Sequence, residues 1–268
     1  MSSKIRLLLS DVDGTLVPHD KVLTERSRKA VNDLHDAGIF FALTSSRPPR
    51  GLRMFRDSLH LSTPISAFNG ATIIDPDQRV LQERTIDDEI TSDIIEILDR
   101  FGVSVWVYRD QEWYVRDPDG PHVRREADVC EFEPLAVANF EPVSNGVAKI
   151  VGASDDVGAL TGARSAIRAR VGDRVSATNS QTYYLDITNP RANKGAVVDF
   201  LSSLYDIPTD AIATIGDAHN DVSMFERSGL SIAMGNAEAD VKSSANKITT
   251  SNEDEGFARA VEQFILMH

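Results

Sequence analysis

Cysteine and long apolar runs are scarce in this chain of 268 residues. Its one cysteine, Cys130, excludes an internal disulfide framework and a paired-cysteine metal or redox site. The longest uninterrupted apolar run near the start is Leu7–Leu9, which is too short for the core of a signal peptide. No run approaches the roughly 18 residues that would cross a membrane. The sequence excludes disulfide-rich secreted and membrane-spanning classes, and we expect a soluble cytoplasmic protein.

Positive charge is also in short supply. The chain has 28 Lys and Arg residues against 41 Asp and Glu, which gives a net charge of −13. A surface of that sign repels phosphate backbones, so we expect no nucleic-acid partner and no membrane partner. If the substrate is an anion, a metal ion and a few placed cations must attract it locally. The remaining composition, 41% hydrophobic and 26% charged, is that of an ordinary globular protein.

The first part of the chain alternates between strand and helix patterns. Three short apolar runs predict buried strands at Ile5–Leu9, Ile39–Leu43 and Ile65–Phe68. Helical spacing over Thr24–Ala37 and Arg50–Leu59 separates them. Strands separated by helices of this length predict βαβ units in a parallel sheet.

The pattern changes near Ile86. Adjacent strand-like runs, Val103–Arg109 and Glu112–Arg116, predict a hairpin, and alternation resumes only with a helix at Lys194–Tyr205. We therefore predict an α/β protein with a Rossmann-like parallel-sheet core, formed by residues 1–86 and 187–268, and a smaller α+β domain inserted at residues 87–186. A closing helix is predicted from near Glu253 to Met267.

An acid pair follows the first predicted strand, in the run Asp11-Val12-Asp13-Gly14-Thr15-Leu16. Ligands of open α/β sheets bind outside the carboxyl ends of the strands, where these carboxylates fall. Two acids at such a position are expensive to desolvate unless a divalent cation or a shared proton offsets the charge. Alternatively, the run is an ordinary strand end with an Asp-Gly turn.

A second acidic cluster, Gly216–Asp221, follows another apolar strand. Asp217 and Asp221 could face the same site as the first pair. Carboxylates at two strand ends suit Mg²⁺, a hard cation that takes one or two carboxylates together with water and substrate phosphate. His219 is better explained as a loop residue than as a catalyst.

Two further features lie between these clusters. Thr44-Ser45-Ser46-Arg47-Pro48 brings hydroxyls and free N–H groups to the start of a predicted helix, which suits an anion but also describes an ordinary helix cap. Lys194 opposes the dipole of the helix it begins. A buried anion would explain it, although a solvated lysine is the simpler interpretation. Taken together, these groups match phosphoryl transfer to a carboxylate.

With these motifs in order, the chain resembles the haloacid dehalogenase superfamily, in its Cof-like (IIB) phosphatase branch. The resemblance spans nearly the whole chain. It is carried by Asp11–Leu16, Thr44–Pro48, Lys194-Gly195 and Gly216–Asp221, with Asn69-Gly70-Ala71 and Met234-Gly235-Asn236-Ala237 as further matching segments.

The resemblance implies a role for each matched residue. Asp11 would be the nucleophile that becomes an aspartyl phosphate, and Asp13 the general acid and base. Mg²⁺ would be held by Asp11, the backbone carbonyl of Asp13 and Asp217, with Asp221 near the metal or orienting Lys194. The implied substrate-binding residues are Thr44, Ser46, Arg47, Asn69, Gly70 and Asn220.

One motif departs from the branch, which usually has Thr-Gly-Arg-Pro where this chain has Ser45-Ser46-Arg47-Pro48. Counting back from Arg-Pro makes Ser45 the phosphate-binding hydroxyl, and Thr44 is the alternative. Either hydroxyl can donate the hydrogen bond.

The inserted domain is expected to cover the site and to select the substrate. Its aromatic residues are either a sugar-binding face or packing on the inserted sheet; they are Trp106, Tyr108, Trp113 and Tyr114. Arg124 and Arg125 are either a second anion contact or solvated. We expect a phosphatase of small phosphorylated metabolites, with sugar or polyol phosphates as substrates, acting as a monomer or homodimer. The alternatives are a phosphomutase and a non-catalytic binding module.

Overall fold

The computed structural model describes residues 4–267, which divide into two compact units. The first unit is built from residues 4–45, 53–80 and 193–267, and the second from residues 46–52 and 81–192. The second unit thus extends a few residues beyond the predicted insertion, 87–186, at each end. It also takes in Ser46–Leu52, because Arg47 in this segment donates to the Val129 carbonyl at 3.0 Å.

Strands occur between residues 7 and 248. They are β1 (Leu7–Ser10), β2 (Phe40–Thr44), β3 (Ile65–Ala67), β4 (Thr72–Ile74), β5 (Val80–Glu83), β6 (Ser104–Arg109), β7 (Glu112–Val115), β8 (Leu135–Ala136), β9 (Val147–Ala153), β10 (Ser176–Gln181), β11 (Tyr184–Thr188), β12 (Ile212–Gly216), β13 (Leu230–Ala233) and β14 (Lys247–Ile248).

Helices occupy most of the connections between strands. They are α1 (Glu25–Asp36), α2 (Arg53–Ser58), α3 (Asp88–Arg100), α4 (Val123–Cys130), α5 (Val157–Val171), α6 (Lys194–Tyr205), α7 (Val222–Phe225), α8 (Ala239–Ser243) and α9 (Gly256–Ala260). The predicted closing helix is interrupted: Glu255 has a left-handed φ of 58°, and a π-helical segment at Val261–Leu266 follows α9. None of the helices in residues 4–267 combines the length and the apolar character needed to cross a membrane.

The first sheet has the strand order β14-β13-β12-β1-β2-β3-β4-β5. β1 lies inside it, parallel to β12 on one side and to β2 on the other, with Leu7 opposite Ile212 and Phe40. Every residue of β1 is buried, as expected for a strand with both faces covered. β4, which was not predicted, pairs antiparallel with β3.

Parallel pairing brings the carboxyl ends of β1, β2 and β12 to one edge of the first sheet. Asp11, Ser45 and Asp217 are the residues that directly follow these three strands. The edge is therefore the place where this fold gathers the residues that the sequence predicted as functional.

The second unit contains a six-stranded sheet in the order β10-β11-β9-β6-β7-β8. β6 and β7 form the predicted hairpin, with Tyr108 opposite Trp113. Helices α3 and α5 pack on one face through a continuous apolar cluster that includes Ile94, Leu98 and Ile167. The predicted α+β character of the insertion agrees with this arrangement.

Candidate active site

Asp11 begins the loop after β1 and is 5% exposed. Its amide donates to the Ile215 carbonyl at 3.0 Å, which continues the pairing of β1 with β12 past the end of the strand. The Leu16 and Val17 amides both donate to the Val12 carbonyl and fold the loop back on itself. Asp13, in the same loop, is more exposed and lies 3.0 Å from Lys21 Nζ. The two predicted catalytic acids are thus in different environments, one buried and one accessible.

Lys194 is buried, which the simpler sequence interpretation did not anticipate. Asn193 caps α6 by accepting from the Ala196 amide, and this turns Lys194 inward at the first helical residue. Its Nζ donates to Asp11 Oδ1 and to Asp221 Oδ1, both at 2.6 Å, with the side chain 1% exposed. Burial alone lowers the pKa of Lys194, but the two carboxylates outweigh burial and raise it. Lys194 is therefore a fixed cation.

Asp221 is fully buried, and both of its oxygens have donors. Lys194 binds Oδ1, while the amides of Asp217 and Ala218 each donate to Oδ2 at 2.9 Å. A Cβ on Gly216 would overlap the Asp221 carboxylate, so glycine is needed at the end of β12. Asp221 is held as an anchor for Lys194 and for the loop that carries Asp217.

Asp217 is the less enclosed acid of this loop. Thr15 Oγ1 donates to its Oδ1 at 3.3 Å. Burial, followed by the nearby Asp221 charge, raises the pKa of Asp217 to about 6. Gly14 has a φ of 86°, and a Cβ there would overlap the Asp217 carboxylate. Gly14 thus supplies both the backbone conformation and the space that Asp217 requires.

Asn236 is a site residue whose role the sequence did not reveal. Its Nδ2 donates to Asp217 Oδ2 at 3.1 Å and to the Gly14 carbonyl at 2.9 Å. Its Oδ1 accepts from the Asn252 amide at 3.0 Å. Asn236 lies in the segment 234–237 that matched the family pattern. The match pointed to this residue, but the neighbouring sequence did not indicate its contacts.

The predicted phosphate-binding hydroxyls end β2. Thr44 Oγ1 donates to Ser66 Oγ at 3.4 Å, and Thr44 is fully buried. Ser45 joins two segments through its backbone, since its amide donates to the Ser66 carbonyl and its carbonyl accepts from the Asn69 amide. Both residues are in the first unit.

Asn69, Gly70 and Asn220 come together in the first unit. Asn220 Nδ2 donates to Asn69 Oδ1 at 3.0 Å. Asn69 and Gly70 have φ values of 56° and 100°, and a Cβ on Gly70 would meet the Asn193 carbonyl oxygen at 2.8 Å. This left-handed turn therefore packs closely against the cap of α6.

Ser46 and Arg47 belong to the second unit. Arg47 is 4% exposed, and its guanidinium donates to the Val129 carbonyl near the end of α4 and to the Gly51 carbonyl at 3.4 Å. A cation is favourable at the carboxyl end of a helix. These contacts bind Arg47 to its own unit, and its predicted contact with substrate stays a prediction.

The aromatic residues of the insertion separate onto the two faces of the second sheet. Trp106, Tyr108 and Trp113 are buried together, with Trp106 and Trp113 in edge contact at 5.1 Å between ring centroids. Tyr114 is partly buried and packs against the apolar cluster under α3 and α5. Arg125 lies over the Tyr183 ring, and Arg124 is near Asp119 and Glu133 at the surface.

The residues of the first unit fit a magnesium ion. Asp11, Asp217 and Asp221 each offer a carboxylate oxygen, and these oxygens lie within 4.8 Å of one another. Burial raises the pKa of Asp11 to about 8; the Lys194 charge opposes this shift, and the charges of Asp221 and Asp217 add to it. Oxygen ligands around an excess of buried negative charge are what Mg²⁺ prefers. Asp11 and Asp217 suit this role better than Asp221, whose two oxygens already bind protein donors.

Comparison with known proteins identifies the family of the chain. Residues 8–261 match the haloacid dehalogenase-like hydrolase family. A 5-amino-6-(5-phospho-D-ribitylamino)uracil phosphatase of Bacillus subtilis is 26% identical over 271 residues, which cover 98% of this chain and 99% of that protein.

Solved structures give the same result. A haloacid dehalogenase-like hydrolase of Bacteroides thetaiotaomicron is 26% identical with a TM-score of 0.90, covering 97% of this chain and 99% of that one. A Thermotoga maritima protein is 27% identical with a TM-score of 0.86, covering 97% of both chains. These matches confirm the resemblance and the predicted fold class: the chain belongs to the haloacid dehalogenase-like hydrolase family.

Proposed function

We propose that this protein is a Mg²⁺-dependent phosphatase that hydrolyses small phosphate monoesters, specifically sugar or polyol phosphates, through an aspartyl-phosphate intermediate. The observation that carries the proposal is the placement of Lys194 Nζ at 2.6 Å from both Asp11 and Asp221, beside the Asp217 carboxylate. The proposed setting is the cytoplasm, and the proposed partner is a small phosphorylated metabolite.

Asp11 is the proposed nucleophile. One carboxylate oxygen attacks phosphorus, the bond from phosphorus to the ester oxygen breaks, and Asp13 gives its proton to the leaving oxygen. Water then attacks phosphorus while Asp13 accepts a proton, and the bond from phosphorus to Asp11 breaks. The greater exposure of Asp13 supports this assignment, since a general acid and base must reach both the leaving group and water.

Lys194 and a hydroxyl of the β2 loop would hold the phosphate oxygens. Lys194 is fixed by two carboxylates and stays charged, so it stabilises negative charge without reorganisation during the reaction. We assign the hydroxyl to Ser45, because Thr44 Oγ1 is already directed to Ser66. Asn220, Asn69 and Gly70 would line the same edge of the sheet.

Asp11 and Asp217, with the Asp13 backbone carbonyl, would hold Mg²⁺, and Asp221 would position Lys194. When bound, the ion offsets the negative charge of the nucleophile and of the phosphate. Thr15 and Asn236 keep Asp217 directed toward this place.

The Bacillus subtilis relative supports the choice of substrate class. Its name describes a phosphate ester at the end of a ribityl chain, which is a polyol. Similarity along nearly the whole of both chains makes a comparable ester a reasonable substrate for this protein.

The test is hydrolysis of a generic aryl phosphate and of a panel of sugar and polyol phosphates, with Mg²⁺ or with a chelator, by wild type and Asp11→Asn. We expect phosphate release that requires Mg²⁺ and falls at least about a thousandfold in Asp11→Asn. Full activity in the chelator would refute the metal assignment, and unchanged turnover in Asp11→Asn would refute the nucleophile. Turnover that depends on a bisphosphate activator would favour the phosphomutase.

A further inference from the structure

Two loops of the first unit lie side by side at the edge of its sheet. β12 and β13 are parallel neighbours, and the Met234 amide donates to the Gly216 carbonyl at 2.9 Å just past the end of β13. The loop after β12, which carries Asp217 and Asp221, therefore lies beside the segment that leads from β13 into α8.

An imidazole and two carboxylates come together between these two loops. His219 belongs to the loop after β12, while Glu238 and Asp240 lie at the start of α8. One ligating atom from each of the three residues lies within 4.8 Å of the other two. All three residues are exposed, so ions in solution can reach them.

The two carboxylates have few other partners. Asp240 Oδ1 accepts from the Val241 amide at 2.9 Å, and Asp240 Oδ2 lies 2.7 Å from His219 Nε2. The Glu238 carboxylate has no hydrogen bond or ion pair with any other residue in the range 4–267. Within the same range, no lysine or arginine pairs with either carboxylate. Negative charge is therefore concentrated beside an imidazole with free access for a cation.

This set of donors suits a first-row divalent metal. Zn²⁺ binds imidazole nitrogen at about 2.0–2.1 Å and carboxylate oxygen at about 2.0–2.2 Å in a tetrahedron, so its ligand atoms lie about 3.4 Å apart. The spread of up to 4.8 Å therefore closes with about 1 Å of movement by exposed side chains. The imidazole nitrogen distinguishes this set from the all-oxygen ligands that Mg²⁺ and Ca²⁺ prefer.

We propose that His219, Glu238 and Asp240 form a second metal site, which binds Zn²⁺ or a chemically similar first-row divalent ion, with water completing the coordination. The site is separate from the proposed magnesium site and does not depend on the proposed function. His219 is two residues from Asp217. Glu238 is two residues from Asn236, whose Nδ2 donates to Asp217 Oδ2 at 3.1 Å. A bound ion thus joins the two loops that Asn236 already connects, and it stabilises the folded first unit by linkage.

Calorimetric titration of the intact protein with Zn²⁺, in an excess of Mg²⁺, tests the site. We expect saturable binding in wild type and a Tm that rises with Zn²⁺ concentration. Glu238→Gln preserves the size of an exposed side chain and removes a charged ligand, so it should weaken Zn²⁺ binding about tenfold or more. His219→Ala removes the nitrogen ligand and should weaken it at least as much. Wild-type affinity in both variants would overturn the proposal.

A second histidine–aspartate pair provides a matched control. His122 Nε2 lies 2.8 Å from Asp155 Oδ1 in the second unit, and no third ligating atom from residues 4–267 completes a cluster there. Asp155→Asn and Asp240→Asn therefore remove the same kind of contact. Only Asp240→Asn should weaken Zn²⁺ binding, and equal Zn²⁺ affinity in these two variants would contradict the three-residue site.

One further variant distinguishes this site from the proposed magnesium site. Asp217→Asn alters a proposed Mg²⁺ ligand and none of the three residues, so it should lose phosphatase activity and still bind Zn²⁺. Loss of Zn²⁺ binding in Asp217→Asn, with wild-type affinity in Glu238→Gln, would assign the ion to the magnesium site and overturn this inference alone. Zn²⁺ binding that Glu238→Gln weakens, in a protein that hydrolyses no phosphate ester, would support the second site and refute the phosphatase.

Discussion

Each unit buries a lysine against aspartate, but the aspartates of the two clusters differ in their other hydrogen bonds. In the first unit Lys194 meets two carboxylates, and Asp221 accepts two further backbone N–H groups. In the second unit Lys149 meets Asp186, whose oxygens take no other hydrogen bond from residues 4–267. Hydrogen bonding is therefore complete around Asp221 in the first unit and incomplete around Asp186 in the second.

This difference in hydrogen bonding affects how rigid each cluster is and how much it stabilises the fold. A satisfied network has one arrangement, which suits groups that must not move while charge develops on a substrate. An incomplete network leaves buried acceptors without donors, so it should stabilise the fold less than a complete one. Variants that disturb the two clusters unequally test this contrast.

Removal of the lysines should give the largest effects. Lys194→Met leaves two buried carboxylates facing each other, and we expect a loss of about 3–5 kcal/mol of unfolding free energy. Its turnover should fall about a hundredfold to a thousandfold through loss of an electrostatic stabiliser. Lys149→Met leaves a single carboxylate and should be destabilised less. Urea unfolding followed by circular dichroism compares the two, and an equal or reversed order would contradict the contrast.

Close packing around the first cluster can be tested at two glycines. Gly14 and Gly38 both have positive φ, but only Gly14 has a carboxylate, that of Asp217, where a Cβ would go, while Gly38 has open space. Alanine at either position should cost about 1 kcal/mol for the left-handed backbone. Gly14→Ala should also displace Asp217 and lower kcat/KM about a hundredfold. Steady-state kinetics at several Mg²⁺ concentrations checks this, and equal activity of the two variants would show that Asp217 tolerates displacement.

The neutral groups around Asp217 should matter less. Asn236→Ala removes the amide that holds Asp217 and the Gly14 carbonyl, and it should weaken Mg²⁺ binding about tenfold. Calorimetric titration of the metal measures this without reference to turnover. Asn246→Ala is the control, because Asn246 binds Ser231 instead. Equal metal affinity in the two variants would show that Asn236 does not contribute to the metal site.

The smallest effect on stability is expected at the surface ion pair between Asp93 and Arg170. Asp93→Asn should change the unfolding free energy by no more than about 0.5 kcal/mol, since exposed pairs of this kind are screened by water and salt. A larger loss, measured by the same urea titration, would mean that exposed ion pairs in this unit contribute to stability as buried ones do.

Much of the architecture could be predicted from the sequence because the signals are local. Runs such as Leu7–Leu9 mark strands that are buried on both faces, and polar residues directly after a strand fall at the edge where ligands bind. Asp11 and Asp217 were located in this way. The break at Glu255 was not, because nothing in the three acids at 253–255 indicates a left-handed residue between two helical segments.

Residue environments were harder to predict than residue positions. Local rules favour a solvated lysine at the start of a helix, and burial of Lys194 depends on carboxylates that are 27 and 183 residues away in the sequence. Asn236 reaches Gly14 across 222 residues, and no periodicity encodes such a contact. Arg47 lies within a recognised motif, yet it donates to the Val129 carbonyl, which is 82 residues away and comes near only in the folded second unit.

The strand order of the first sheet has a consequence for synthesis on the ribosome. β1 pairs with β2 early, but its other neighbour, β12, begins at Ile212. At about 5–20 residues per second, one edge of the mainly apolar strand β1 stays unpaired in the nascent chain for roughly 10–40 s. The continuous segment 81–192 is completed within that interval. We therefore expect the inserted unit to fold first in the cell, while the first unit depends on chaperone protection until its last third emerges.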